Sequence, residues 1–568
     1  MSTPSRWHLL PSQPTAQRAL VEALDVPPLV AQLLINRGIT SVEAAAQYLH
    51  PALERLHDPL LLRDMPRAVA RLQQALQRRE HIIVFGDYDV DGVTATALVT
   101  LLLRAKGANV SSLLPHRLTD GYGLNEQLVQ TARQQGARLV ITVDCGTTAT
   151  EEISALARAG IDTIILDHHL PRLDALPPAH TLINPRHPAC RYPHKGLASV
   201  GLAFKLAQAL CQQEPAHWQP YLDLVALGTV ADVVPLLDEN RILVKHGLAQ
   251  LAQTPRVGLR SLMDVAGMCE ERLRPFHVGF ILGPRINASG RLGSAERALQ
   301  LLLTDSSVEA DDLAEALNGQ NRERQRLEQQ VLSEAMREVE ETVDFSQTRV
   351  LVVGKEGWHI GVVGIVAARL VDRYHRPSIV IGFDGERGRG SGRSIPAFHL
   401  TNALAQCASS LESFGGHAAA CGLTLQRARL SALRETLNAL ARELLPPAAL
   451  VPAVIIDAEL PLAIWREPLF HALETLEPYG AGNPEPAFLS RRLIVKHPPQ
   501  RVGRNHFKCW VTDGQLTGEA MGFRMAERIE ELFEGAVVDC VYTPSLNRWD
   551  GTTTTLQLVL RDFRRAEC

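Results

Sequence analysis

The chain has 568 residues, 46% apolar and 21% charged, with a formal net charge of −4. That length suits three or four domains with sizeable cores. The charge balance excludes a global basic field, so a polyanion would need a local basic cleft. Nine cysteines form no C-x-x-C pair or disulfide framework, which points to reduced thiols. The opening MSTPSRWHLLPSQP lacks a secretory apolar region. No apolar run approaches the roughly 18 residues of a membrane span. A cytoplasmic protein without a membrane segment is therefore expected.

Residues 1–55 are punctuated by proline, with an apolar pattern around Val30, Leu33 and Leu34. They are expected to form a small helical segment packed on the domain that follows. From about 65 to 185, strand patterns at 81–86, 109–115, 138–143, 162–166 and 181–184 alternate with helical stretches near 92–106, 124–135 and 150–159. Such alternation predicts a doubly wound parallel sheet.

The most informative stretch is HIIVFGDYDVDG, residues 81–92. A short apolar run reads as a buried parallel strand. Its carboxyl end carries Asp87, Asp89 and Asp91 in one turn, where open α/β sheets bind ligands. Three carboxylates so close repel one another, and a divalent cation with hard oxygen ligands is the usual resolution. The alternative is an acidic solvated loop. Two further strands also end in acid or imidazole: RLVITVDCGT delivers Asp144, and DTIILDHHLP delivers Asp167, His168 and His169. Three equivalent strand ends then build one site at one edge of one sheet.

Residues 186–300 read as mostly helical. Asp232 stands alone inside the apolar LVALGTVADVVPL, and a buried carboxylate needs a partner. A metal or an arginine or helix cap would serve equally. GPRINASGRLG (283–293) sets Arg285, Asn287 and Arg291 among glycines. This reads either as an anion-binding loop or as a turn with two solvent-facing arginines. Residues 308–342 form a long charged helix, either a connector between domains or an ordinary surface helix.

A second α/β unit follows, with strands at Arg349–Val353 and Ile379–Phe383 and a helix at about 361–374. FDGERGRGSGRS (383–394) packs four glycines with Arg387, Arg389 and Arg393. It reads as a phosphate-binding loop, with a hairpin tip as the alternative. LLPPAAL (444–450) marks a linker. Residues 451–568 alternate apolar and polar positions, which suggests a small antiparallel barrel. Six Lys/Arg and no acid lie between Arg491 and Lys508, with Phe507 and Trp510 adjacent. That is either a single-strand platform or a basic solvated hairpin.

DYDVDG, VDCG, DHH and GTVADVVPL, in this order, resemble the DHH phosphoesterases. GRGSGRS and FGGHAAACG resemble the appended DHHA1 domain. ILGPRINASGRLG, WHIGVVGIVAARL and the terminal barrel narrow the resemblance to the RecJ group of single-strand-specific exonucleases. It implies an α/β fold: a parallel-sheet DHH domain joined by a long helix to a smaller α/β DHHA1 domain, with a C-terminal β-barrel (OB-like) domain. The implied boundaries are 1–55, 56–307, 308–345, 346–447 and 448–568. The resemblance implies two divalent ions, Mn²⁺ or Mg²⁺, on Asp89, Asp91, Asp144, His168 and Asp232. Asp87 and His169 would sit in or beside that set, and Asp167 would orient His168. His169 would hydrogen-bond the scissile phosphate or leaving group. Substrate contacts are expected from Arg117, Arg285, Asn287, Arg291, His359, Ser391, Arg393 and His417. The long helix would space two domains so that one strand threads between them. The implied activity is 5′-to-3′ digestion of single-stranded DNA to 5′-mononucleotides in repair and recombination. The protein would be a monomer, with single-strand-binding protein and a DNA helicase as partners.

Overall fold

The fold is described from a computed structural model covering residues 5–117, 123–212, 214–269, 272–549 and 553–566. The chain forms two compact units. One comprises His50–Arg324 and Glu477–Pro484; the other comprises Met1–Leu49, Gln325–Leu476 and Glu485–Cys568.

The first unit is built on β1 (His81–Gly86), β2 (Asn109–Leu113), β3 (Leu139–Val143), β4 (Asp162–Leu166) and β5 (Thr181–Ile183). All pairings are parallel, in the order β2-β1-β3-β4-β5. The apolar runs are continuous because both faces are covered. Ile82, Val84, Ile141 and Ile164 enter one core, and Ile83, Phe85, Val140 and Ile165 enter another. Helix α1 (Val90–Ala105) is buried along nearly all its length, packed against α2 (Ser199–Leu210) and α3 (Leu222–Ala231). That burial explains why its sequence is apolar all round. The turn between β1 and α1 folds back on itself at Gly92. A Cβ there would lie 2.5 Å from the Asp87 carbonyl oxygen.

The segment read as an anion-binding loop is helix α4 (Gly283–Leu292), preceded by a π-helical turn at Val278–Leu282. Its glycines are spaced for packing rather than for a backbone cradle. Helix α5 (Ser307–Thr342) is continuous over 36 residues. Its Ala310, Ala314 and Leu317 enter the core of the first unit, and Val331, Ala335 and Val339 a core of the second.

In the second unit, β6 (Leu351–Glu356), β7 (Ser378–Asp384), β8 (Arg387–Arg393), β9 (Ser413–Gly416) and β10 (Ala420–Gln426) form a sheet in the order β9-β10-β8-β7-β6. The segment FDGERGRGSGRS is therefore not an irregular loop. It is a tight hairpin and most of a regular strand, with Gly385 at φ +58° in the turn. Gly388, Gly390 and Gly392 alternate onto one face, where a Cβ would meet Phe383, Ile381, Leu400 and Cys421 at 2.5–2.8 Å. The period of two thus sends Arg387, Arg389, Ser391 and Arg393 to the opposite face.

The last seven strands, from Ala458–Glu459 to Thr553–Arg565, form one mostly antiparallel sheet, with an additional pairing between Phe488–Val495 and His506–Thr512. Of the N-terminal segment, Leu53 packs against the core of the first unit, whereas its strand belongs to the second. Arg6–Leu9 pairs in parallel with Ala453–Ile456, and Trp7 Nε1 donates to Asp562 at 2.7 Å. Of the two aromatics at the basic hairpin, Phe507 is not available for stacking. Phe507 is fully buried, edge-on to Phe563 at 5.8 Å, and Trp510 is half-buried. The exposed ring at that hairpin is Phe523, which meets His506 at 5.4 Å. Among the described residues the eight cysteines are free thiols, and no helix is long and apolar enough to cross a membrane.

Candidate metal centre

The carboxyl ends of β1, β3 and β4 meet, as the three acid-ended strands require. Three overlapping groups each place their ligand atoms within 4.8 Å of one another: Asp87, Asp89 and Asp144; Asp91, His168 and Asp232; Asp144, His168 and His169. His168 Nε2 lies 3.5 Å from Asp144 Oδ1 and 3.6 Å from Asp232 Oδ2. Apart from Asp89 and His169, which are half-buried, and Asp232, which is partly exposed, these side chains are buried.

Each carboxylate is aimed by its local structure. Asp89 is the N-cap of α1, where its Oδ1 accepts from the Gly92 amide at 3.1 Å. Asp91 lies at the amino end of α2. Its two oxygens accept from the Ser199 amide at 2.7 Å and the Val200 amide at 2.8 Å. Asp144 follows β3 in the left-handed region, at φ +63°, a conformation that costs a non-glycine residue energy and recurs at functional sites. The Ser199 hydroxyl donates to its Oδ1 at 2.9 Å. Asp232 is the C-cap of α3, the helix end that disfavours negative charge. Its buried Oδ2 has no hydrogen-bond partner, and Arg186 acts on the carboxylate electrostatically without relieving it.

Asp167 differs from its expected role. It does not orient His168: its Oδ1 lies 2.7 Å from Nδ1 of His169 and also accepts that residue's amide. Thr147 N donates to Oδ2 at 3.0 Å, and Asn184 Nδ2 donates to the His169 carbonyl at 2.8 Å. Two imidazoles adjacent in sequence are thereby driven apart. Burial, reinforced by the positive neighbour His169, lowers His168 to about 4. Burial alone would lower His169 as well, but the Asp167 bond and charge raise it to about 9. Asp167 is itself held well below the usual carboxylate range: the His169 bond and charge outweigh burial. Burial and then the neighbouring Asp89 raise Asp91 to about 7, and burial and then Asp91 raise Asp232 to about 8. Burial followed by neighbouring carboxylates also pushes Asp87 and Asp144 well above the ordinary range.

The donor set fits divalent cations. Asp87 Oδ1 and Asp232 Oδ2 are buried without hydrogen-bond partners, and His168 turns Nε2 toward Asp144 and Asp232. Four or five carboxylates with a neutral imidazole suit Mn²⁺ or Mg²⁺ rather than a thiolate metal.

Around this nest, the Arg117 guanidinium lies 4.9 Å from the Tyr88 ring centroid. Arg117 and Arg291 both act on the Tyr88 phenol electrostatically. Arg285 is tied into the protein: Nε donates to Asn318 on α5 at 3.1 Å and a terminal nitrogen to the Ile281 carbonyl at 2.7 Å. Asn287 is half-buried on α4. In the other unit, helix α6 (Ile360–Tyr374) begins at His359, whose Nδ1 accepts from the Gly361 amide at 3.0 Å. Arg393 donates to Ser391 Oγ at 3.0 Å, and Gly364 of α6 packs against both side chains. His417 is exposed on the β9–β10 turn, its amide and carbonyl both engaged.

Comparisons with known proteins agree with this arrangement. Residues 81–229 match the DHH family N-terminal domain, 347–443 the DHHA1 domain and 456–562 the RecJ OB domain. A curated relative, the single-stranded-DNA-specific exonuclease RecJ of Bacillus subtilis, is 37% identical across 100% of this chain and 72% of its own length. The chain belongs to the RecJ family. RecJ of Escherichia coli is 37% identical over 86% of this chain and 87% of its length. The crystal structure of RecJ with Mn²⁺ from Thermus thermophilus superposes with a TM-score of 0.85 at 31% identity, covering 99% of this chain and 80% of that one. A Mg²⁺ complex of the same protein gives a TM-score of 0.79.

Sequence reasoning missed the residues that hold the candidate ligands in place. Ser199, Val200, Thr147 and Asn184 act through amides or small polar groups that carry no motif of their own. Asn184 had one legible signal, its place at the end of β5 on the same sheet edge.

Proposed function

We propose that this chain is a single-stranded-DNA exonuclease that works with divalent metal ions, digesting 5′ to 3′ and releasing 5′-mononucleotides. The observation that carries the reading is the nest of buried carboxylates, two of which present an oxygen with no hydrogen-bond partner. Asp89, Asp91, Asp144, His168 and Asp232, with Asp87 beside them, would hold two Mn²⁺ or Mg²⁺ ions, which supply Lewis acidity at the phosphate and acidify water. His168 is neutral near pH 7 and offers a lone pair to a metal. His169 is protonated and fixed by Asp167, so its imidazolium donates a hydrogen bond to a phosphate or leaving-group oxygen. Ser391, Arg393, His359 and His417 supply phosphate contacts; the fork of Arg393 suits a terminal phosphate. Arg117, Asn287 and Arg291 serve the strand near Tyr88, and Arg285 fixes α4 beside it.

The C-terminal sheet closes as an OB-like barrel in this reading, with the basic hairpin 500–512 tracking the DNA backbone. The protein acts in the cytoplasm as a monomer, on strands opened by a helicase and coated by single-strand-binding protein. The experiment that tests the function compares digestion of long single-stranded DNA with hydrolysis of dinucleotides, with and without Mn²⁺. Metal-dependent loss of the long strand is expected. Preference for dinucleotides or cyclic dinucleotides would make the chain a small-substrate DHH phosphodiesterase, and binding without hydrolysis a scaffold.

A further inference from the structure

The π-turn before α4 carries a feature that the metal site does not use. Val278 and Leu282 are fully buried, so Phe280 between them faces outward, and Phe276 one turn earlier shares that side. Phe276 is 58% and Phe280 70% exposed. Their rings are stacked, with centroids 5.2 Å apart and planes 26° from parallel, and His277 stands edge-on to Phe276 at 5.8 Å. Scattered exposed apolar side chains are ordinary, but a contiguous stacked pair marks a binding surface.

Two observations say what covers it. The first is position within the unit that bears the carboxylate nest. The turn packs on α3, the helix that ends in Asp232, and a Cβ on Gly283 would lie 3.7 Å from that of Ala231. The rings therefore project from a segment locked to a ligand-bearing helix. The second is charge. Arg285 and Arg291 follow the turn on α4 with no acid from Phe276 to Ala295; Glu270, Glu271 and Glu296 bound that stretch in sequence, and Glu477 shares Arg272 and Arg274. A flat aromatic pair followed by two arginines suits a polyanion with planar groups, because every nucleobase offers a π-face while charge tracks the backbone. Inserted π-turns recur at functional sites, and here the turn sets which side chains face out.

We propose that Phe276 and Phe280 form a base-stacking platform for single-stranded DNA in the metal-bearing unit, distinct from the basic hairpin of the C-terminal sheet. The proposal rests on the exonuclease reading and extends it: the platform grips bases without regard to sequence and leaves the chemistry to the nest.

The test uses the full chain in EDTA, so that binding is read without hydrolysis. Anisotropy titrations compare a mixed-base oligonucleotide with an abasic strand of the same length. The wild type is expected to prefer the base-bearing strand. The double variant Phe276→Ala/Phe280→Ala is expected to bind that strand about tenfold more weakly. Its affinity for the abasic strand and for Mn²⁺ should be unchanged, and Phe280→Trp should retain the preference. Equal losses on both strands, or no loss, would overturn the platform while wild-type digestion of DNA upholds the exonuclease. Unchanged DNA binding with altered self-association would make the face a protein interface and also overturn it. A wild type that digests no DNA would sink the exonuclease reading itself.

Discussion

The carboxylate nest and the arginine-bearing hairpin of β7 and β8 solve opposite problems. The nest gathers charges of one sign in a mostly buried setting, and two oxygens have no donor. The hairpin places its charges on one face of a strand, exposed at Arg387 and Arg389 and half-buried at Arg393, while its glycines satisfy the packing on the other. There Arg387 is paired with Glu412 at 2.8 Å, and Arg393 rests on Ser391 and a backbone carbonyl. A strained, unsatisfied cluster is shaped for a ligand that completes it; a satisfied and accessible one is shaped for a ligand that comes and goes. The nest should therefore govern turnover and metal-dependent stability, and the hairpin mainly affinity.

The sharpest break in that contrast is Asp144→Asn. Turnover on single-stranded DNA is expected to fall by more than about 10³-fold, beyond the loss of a single transition-state hydrogen bond. Strand affinity in EDTA should change little. Retained turnover would remove Asp144 from the working site. Next, His169→Gln should lower kcat by about 10²–10⁴-fold, the range of a lost proton donor, with Mn²⁺ affinity largely kept. A loss confined to metal binding would instead make His169 a ligand.

Ser199→Ala removes the hydroxyl that steadies Asp144, and Mn²⁺ affinity should weaken by about 10–100-fold, as for other groups that orient ligands. Calorimetry showing unchanged affinity would make Ser199 a packing residue. On the hairpin, Arg393→Ala should raise KM by about tenfold with a smaller change in kcat, the signature of binding shared by ground and transition states. An equal fall in kcat and kcat/KM would place Arg393 in the chemical step.

The pH dependence of the metal-free protein sharpens the comparison further. Asp91 and Asp232 titrate at about 7 and 8 in the fold, above the ordinary carboxyl value of 3.8. Groups raised in this way contribute stability that is full below about pH 4 and is lost as pH rises through 7 and 8. In EDTA, Tm is expected to fall between about pH 4 and 8 and to level off above that, and saturating Mn²⁺ should reduce or reverse the fall by replacing the protons. A Tm indifferent to pH in EDTA would mean that the nest is relieved in another way.

Some of this was legible residue by residue. Parallel strands buried on both faces read as unbroken apolar runs, so β1 to β5 could be placed within two residues. Asp144 and the Asp-His-His triplet follow their strands directly and inherit that placement. The glycine-rich segment around 388 misled for the complementary reason. A strand whose inward positions are all glycine shows no apolar alternation, although the period of two is there. Phe507 misled because an aromatic beside lysine looks the same in sequence whether it faces core or solvent.

The sequence by itself determined which groups reach the sheet edge, because strand ends and side-chain types are local properties. Tertiary structure alone decided that Asp167 serves His169 rather than His168, and that Asp91 is held by amides of α2 more than a hundred residues away. It also decided that Arg6–Leu9 pairs with Ala453–Ile456. Hydrogen bonds form between neighbours in space, and a backbone amide has the same identity in every residue but proline, so no pattern along the chain announces which carboxylate it will meet.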